Sequence, residues 1–226
     1  MDMIGGKIKT RRKQVSDWIQ EQEPSMVALQ ELCKYTPDKL QEDANVWGHP
    51  YSVLLKEDGY SVGLTSAFPI ELKEKIRDGM WHGALHCVTN GIDVFVIHLS
   101  PASYRFRQKE TEILLEKLKI VAENQDNYVV LGDFNSLSPI DADMYNFEGA
   151  MFKRMVASQK KKGEEGNLNH GKPDFSVMSA FLAFPLNDVC QPFTKGIKER
   201  GSFPGQVLGE INNETEDQLN ARLAKN

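Results

Sequence analysis

Tyr128-Val129-Val130-Leu131 runs through Gly132 into Asp133-Phe134-Asn135, which puts a carboxylate and an amide two residues apart at the end of an apolar run. A strand that aims both side chains into one site could hold a nucleophilic water or a metal ion with the carboxylate. The amide could donate to a phosphoryl oxygen without adding charge. Asp and Asn at a strand end also form turns, because both bond readily to their own backbone. Met26-Val27-Ala28-Leu29 runs in the same way into Gln30 and Glu31, and polar residues at the C-terminal end of a strand often reach a cleft. A surface carboxylate is the plainer reading of Glu31. His82 and His86 are four residues apart around Gly83; in a strand they would share a face but stand too far apart for one ion, at about 3.3 Å per residue. His82, nearer the loop end, is the one placed to line a substrate cleft.

Those groups need elements to position them. Thr10 to Glu23 spaces Val15, Trp18, Ile19 and Gln22 for one face of a helix, which Pro24 stops. Met26–Leu29 follows as a short strand, then a short helix near Pro37–Ala44, and strands over Tyr51–Leu55 and Val62–Ser66, punctuated by Gly59 and Gly63. Ala84–Thr89 and Val94–His98 are strands joined by Asn90-Gly91, a dipeptide whose easy positive φ favours a tight hairpin. Tyr104–Glu123 carries Ile113, Leu114, Leu118 and Val121 at helical spacing, and Tyr128–Leu131 reads as a buried strand. Beyond Asn135 a helix is expected within Ile140–Ala157, then an exposed loop over Gln159–Gly171. Its Lys160, Lys161 and Lys162 either touch phosphates or stand in solvent balanced by Glu164 and Glu165. Hairpin-linked and helix-linked strands together indicate a mixed α/β fold.

The 226 residues, 40% of them hydrophobic, suffice for one large α/β domain with a substantial core. Acidic residues outnumber basic ones by 32 to 27, so the chain is not the polycation expected of a nonspecific nucleic-acid binder, and any nucleic-acid contact needs a local patch. Cys33, Cys87 and Cys190 are too scattered for a paired zinc spacing or a disulfide framework and read as small core residues. No stretch approaches the roughly 18 consecutive apolar residues of a membrane span, and the charged start MDMIGGKIKTRRK has no apolar segment behind it. A soluble monomer is expected, cytoplasmic, or secreted or periplasmic if a signal peptide was removed.

Three segments carry a resemblance to a known family. Ala28-Leu29-Gln30-Glu31, His98-Leu99-Ser100-Pro101 and Gly132-Asp133-Phe134-Asn135 match, in order and approximate spacing, the LQE, HL and GDFN motifs of the endonuclease/exonuclease/phosphatase superfamily. These are metal-dependent phosphoesterases such as DNase I, exonuclease III and neutral sphingomyelinase. Gly63-Leu64-Thr65-Ser66 with Phe68-Pro69-Ile70 is similar to the family's G-L-x-x-S-x-x-P-I strand pair, Arg105-Phe106-Arg107-Gln108 to its R-x-x-Q helix start, and Ser202-Phe203-Pro204 to its T-F-P element. The resemblance implies a DNase I-like α/β (α+β) four-layer sandwich: two mixed β-sheets face to face, helices outside, and an active site at one end between the sheets. It implies a hydrolase, a phosphodiesterase or phosphomonoesterase using Mg²⁺ or Mn²⁺. By position, Glu31 is the implied metal ligand, Asp133 the residue that orients or deprotonates the attacking water, and Asn135 the holder of the scissile phosphate. His98 is implied to donate to the phosphate or to help protonate the leaving oxygen, and Arg105 and His82 are the candidate substrate-binding residues. The substrate could be a small phosphoester, a lipid head group or nucleic acid, and the acidic balance tilts toward the first two.

Two family elements are missing from the sequence. No Asn precedes Asn45, so an opening strand bearing an asparagine is absent, and none of His49, His82, His86, His98 and His170 follows an Asp, so the closing Asp-His strand is absent too. The expectation is a single domain over 1–226 that lacks its first strand and its C-terminal strands, as a fragment of a longer product would, leaving one sheet with an unpaired edge. The alternative is a catalytically inactive binding module on the same fold.

Overall fold

The computed structural model describes residues 8–124, 127–143, 149–162, 166–184 and 186–194. Its contacts divide into two compact units, one of Met1–Pro101 with Lys109–Asn135, the other of Ala102–Gln108 with Ser136–Asn226.

The first unit begins with α1 (Ile8–Gln22), β1 (Met26–Leu29), α2 (Pro37–Val46), β2 (Tyr51–Leu54) and β3 (Gly63–Ser66). Thr36 caps α2 by accepting from Lys39 N–H at 3.2 Å, and Pro37, which lacks an N–H, opens it. The inward stripe of α1 is Val15, Ser16 and Ile19, while Trp18 is 62% exposed and Gln22 is exposed too. The expected face of Val15, Trp18, Ile19 and Gln22 is therefore corrected by one step around the helix. Its anchor is Arg12, which pairs with Asp43 of α2. Asp43 in turn accepts from the Tyr35 hydroxyl at 2.8 Å.

β4 (Ile70–Ile76), β5 (Ala84–Thr89), β6 (Ile92–His98), α3 (Tyr104–Ala122) and β7 (Tyr128–Asp133) follow. Asn90 and Gly91 join β5 to β6 with φ of +51° and +71°, the tight hairpin their types favour. β4 reads IELKEKI and is exposed along most of its length; its charged body gives no apolar run, and only its first residue, Ile70, belongs to a sequence motif.

Two sheets result, ordered β1-β3-β2 and β4-β5-β6-β7. The first is antiparallel throughout, and only the second is mixed, since β6 and β7 run parallel. The expectation of two mixed sheets is corrected accordingly. Period-two alternation sorts their side chains. Leu64, Leu85, Cys87, Val94 and Val96 form one buried cluster, with Met26, Ala28, Val53, Val129 and Leu131 packed against it, so residues of both sheets share a core. The alternate residues Leu29 and Leu54 join Ile19, Leu40, Ala44 and Trp47 beneath α1 and α2. On the far side α3 buries Leu114 and Leu118 completely and is tied to β4 by Lys117 Nζ at 2.8 Å from Glu74. Helix, sheet, sheet, helix is the α/β sandwich expected. Among the described residues β7 pairs only with β6, and Tyr128–Leu131 are half-buried, not the fully buried strand the apolar run suggested.

In the second unit the buried Arg107 donates to Gly166 O at 2.6 Å and to Asn167 Oδ1, while Tyr104 N–H donates to the same Gly166 carbonyl at 3.0 Å. Gln108 Nε2 donates to Ser176 Oγ at 2.8 Å, at the start of α5 (Ser176–Ala183). The helix expected within Ile140–Ala157 is α4 (Ala150–Lys162), which overruns its predicted end, so Gln159–Lys162 are helical. The expected loop also contains β8 (Leu168–Asn169), which forms a small hairpin with β9 (Lys172–Pro173) just past its end, and Leu168 is buried. Lys160 is exposed; the side chains of Lys161 and Lys162, and Ser202-Phe203-Pro204, lie outside the described residues. Of the cysteines only Cys87 is a core residue; Cys33 is half-buried and Cys190 exposed, and none of the three forms a disulfide. No helix among the described residues is long and apolar enough to cross a membrane.

Candidate active site

β6 and β7 end together, and their register sets His98 opposite Asp133. Leu99 N–H extends the ladder one step by donating to Asp133 O at 2.9 Å. Gly132 permits this approach: its φ is +141°, and a Cβ built there would stand 2.0 Å from Ile97 O, so any side chain would push the strands apart. Past Asp133 the chain turns back. Asn135 N–H donates to Asp133 Oδ1 at 2.7 Å, and Asn135 Nδ2 donates to Leu99 O at 2.9 Å. Asn135 itself is left-handed, at φ +48°, a conformation asparagine reaches more readily than most residues. The two residues are turn formers as their types suggested, yet the turn leaves the second carboxylate oxygen of Asp133, Oδ2, 3.8 Å from His98 Nε2. That distance is too long for a direct hydrogen bond and short enough for one bridging water. The Asp133 side chain is 52% exposed.

His98 is buried, and its Nδ1 has no hydrogen-bond partner among the described residues. Its ring stacks on His82 with centroids 4.1 Å apart and planes 17° from parallel. Tyr60 meets His82 edge-on at 5.6 Å. Burial pushes the pKa of His98 below its ordinary value, against the opposing pull of Asp133 and then Glu31. His82 is pushed down to about 4, first by burial, then by His98 and Lys56. Both imidazoles are therefore neutral at neutral pH.

Glu31 follows β1 in a tight turn, with its carbonyl accepting from Cys33 N–H at 2.8 Å and its own φ at +56°, a positive value that is uncommon outside glycine. Its charge acts on the same imidazole as that of Asp133. Among the described residues no three His, Cys, Asp or Glu side chains gather into a metal cage. A Mg²⁺-like ion does not need one, since it is commonly held by one or two carboxylates and keeps several waters. The half-buried carboxylate of Glu31 fits that mode of binding.

Of the residues singled out in the sequence, Glu31, His82 and Asp133 are thus joined to His98 by charge, stacking or register, while Asn135 is hydrogen-bonded to Asp133 and to Leu99 O. Arg105 belongs to the second unit, where it is exposed and its guanidinium carbon lies 5.1 Å from the Tyr104 ring centroid. His86 serves a different end of β5, bonding Asp93 and stacking on Phe95 at 4.2 Å. Sequence reasoning passed over Tyr60, Lys56 and Glu110. Glu110 carried one readable signal, a carboxylate on the inward stripe of α3, with Arg107, Thr111, Leu114 and Leu118 buried around it.

No curated protein sequence matches the chain. Among solved structures it is similar to an AP endonuclease from Archaeoglobus fulgidus, 19% identical with a TM-score of 0.52, covering 79% of this chain and 66% of that one. It is also similar to a 3'-5' exonuclease, NExo, from Neisseria meningitidis, 21% identical with a TM-score of 0.59, covering 84% of this chain and 72% of that one. The chain thus spans just under two thirds of the archaeal protein, and at these identities the likeness is one of fold. A sequence profile reaches further: that of the Endonuclease/Exonuclease/phosphatase family matches residues 6–149, a stretch that contains Glu31, His82, His98, Asp133 and Asn135, and the chain belongs to that family.

Proposed function

We propose that this protein is a hydrolase of phosphate esters that uses a divalent cation, Mg²⁺ or Mn²⁺. Family membership supports the reaction class, and one observation supports the site: the β6–β7 register sets Asp133 opposite the buried His98, with Oδ2 3.8 Å from Nε2. In this reading Asp133 Oδ2, free of the turn that engages Oδ1, orients the attacking water and accepts its proton. Asn135 spends one amide hydrogen on Leu99 O and has a second for a phosphoryl oxygen, since its NH₂ carries two donors. Of the two roles the resemblance gives His98, the lowered pKa favours a neutral imidazole donating to the phosphate over one that arrives protonated for the leaving oxygen. Glu31 would hold the cation, whose chemistry when bound is to offset charge developing on the phosphoryl oxygens.

The names of the two structural neighbours favour a nucleic-acid phosphodiester, whereas a net charge of −5 argues against a broad duplex-binding face. The test is hydrolysis of bis-nitrophenyl phosphate, together with a panel of DNA ends, abasic-site DNA and lipid phosphodiesters. Each is assayed with Mg²⁺ or Mn²⁺ and again after chelation. Turnover that chelation abolishes is the expected result. No turnover on any member with either metal would replace the enzyme by a binding module on the same fold.

A further inference from the structure

Glu110 is fully buried on the inward stripe of α3. Burying a carboxylate is costly unless its oxygens are matched by donors, and here each oxygen is matched by a backbone amide from a different loop. Trp81 N–H donates to Oε1 at 2.8 Å, and Ser100 N–H donates to Oε2 at 2.8 Å. Trp81 immediately precedes His82, and Ser100 lies two residues after His98. One carboxylate therefore grips the two backbone segments that carry the stacked histidines.

The Trp81 side chain is 52% exposed. Gly83, next after His82, has φ +91°, and a Cβ there would lie 2.7 Å from Leu55 Cδ2 and 3.1 Å from Ile76 O. The loop is thus bent tightly on one side of His82 and held by Glu110 on the other. Bonds from backbone N–H to a carboxylate are charge-assisted and stronger than neutral ones. A shared acceptor also fixes the two loops relative to each other, which separate acceptors would not.

We propose that Glu110 is a positioning residue that sets the His82–His98 stack, and through it the aim of His98, by clamping the loops before β5 and after β6. It touches no substrate. Its effect on turnover rests on the phosphoesterase reading above; its effect on the imidazoles does not.

The experiment therefore reads the imidazoles first. NMR titration of the histidine ring protons is run on the full chain without metal, in wild type, Glu110→Gln and Glu110→Asp. Glutamine presents an NH₂ where one of the two loops needs an acceptor, and aspartate retracts the carboxylate by one methylene; both leave His82 and His98 in place. The expected result in Glu110→Gln is that the His82 titration rises from about 4 by about one unit or more toward its ordinary value, as the freed loop opens to water. The nuclear Overhauser contact between the two rings weakens alongside. Glu110→Asp, which keeps two acceptors, shows the smaller change. Thr111→Val, altering the neighbouring buried position on α3, is the control for mere loss of packing and leaves both readouts at wild type. A Glu110→Gln protein that folds with the His82 titration and the ring contact unchanged would overturn the proposal. So would a Glu110→Asp protein with both unchanged, should the glutamine variant not fold. Where turnover has been detected, kcat falls about tenfold with KM little changed, the signature of a misaimed group. An imidazole shift without any turnover upholds the clamp and counts only against the phosphoesterase reading.

Discussion

His98 and Asp133 are partners in the parallel register of β6 and β7, with Nε2 of one 3.8 Å from Oδ2 of the other. The carboxylate is half exposed and the imidazole buried, so a water between them would meet an acceptor on its open side and a ring nitrogen on its closed side. Asp133→Asn keeps an oxygen to accept from Asn135 N–H, preserving the turn, and removes the proton acceptor. The rate at saturating metal should fall by about 10²- to 10⁴-fold, with the circular dichroism spectrum and thermal midpoint unchanged. A variant with wild-type turnover would remove Asp133 from the chemistry.

Glu31→Gln should act on metal and not on the turn. The amide keeps the shape of the side chain and loses its charge, so the Mg²⁺ concentration for half-maximal rate should rise on the order of tenfold to hundredfold, the equivalent of about 1.4 to 3 kcal/mol. Metal titrations of both proteins, followed by calorimetry as well as turnover, check this. Equal metal affinities would place the ligand elsewhere.

The histidine stack makes a pH prediction with a defined sign. His82 titrates at about 4 when folded, against an ordinary 6.5, so between those values the unfolded chain binds the proton that the folded one refuses. The contribution of neutral His82 is complete above pH 6.5 and is lost as pH falls toward 4, by on the order of 3 kcal/mol across the window. His98 is shifted in the same direction and adds to the same slope. Urea unfolding at pH 7.5 and at pH 4.5 should show His82→Phe losing less stability on acidification than wild type. An equal or larger loss in the variant would contradict the assignment.

Gly132→Ala tests the junction of β6 and β7 directly. With φ at +141° and Ile97 O 2.0 Å from where the new Cβ would sit, the strands must separate or the backbone must change. A cost of about 3 kcal/mol or more is expected, which for a chain of this size lowers the melting temperature by roughly 6 to 12 °C. Differential scanning calorimetry reads it. Gly91→Ala in the β5–β6 turn, which meets nothing within 4 Å, should cost less, because it pays only for its positive φ.

Local features of the sequence carried much of this structure. Asn90-Gly91 makes its hairpin because the two residues accept positive φ whatever surrounds them. The apolar runs of β1, β6 and β7 end where Glu31, His98 and Asp133 begin, because apolar residues must leave water and polar ones need not. What the sequence left open depends on partners far along the chain. Trp18 and Ile19 are both apolar and adjacent on a helix, and only the position of Arg12 against Asp43 decides which of them turns inward. β4 is a strand because β5 supplies its hydrogen bonds, not because IELKEKI has an apolar face. The stacking of His82 on His98, and the grip of Glu110 on loops 29 and 10 residues away, leave no periodicity to read. A hydrogen bond across the fold is set by where α3 lies over the sheet, and that placement exists only once the core has closed.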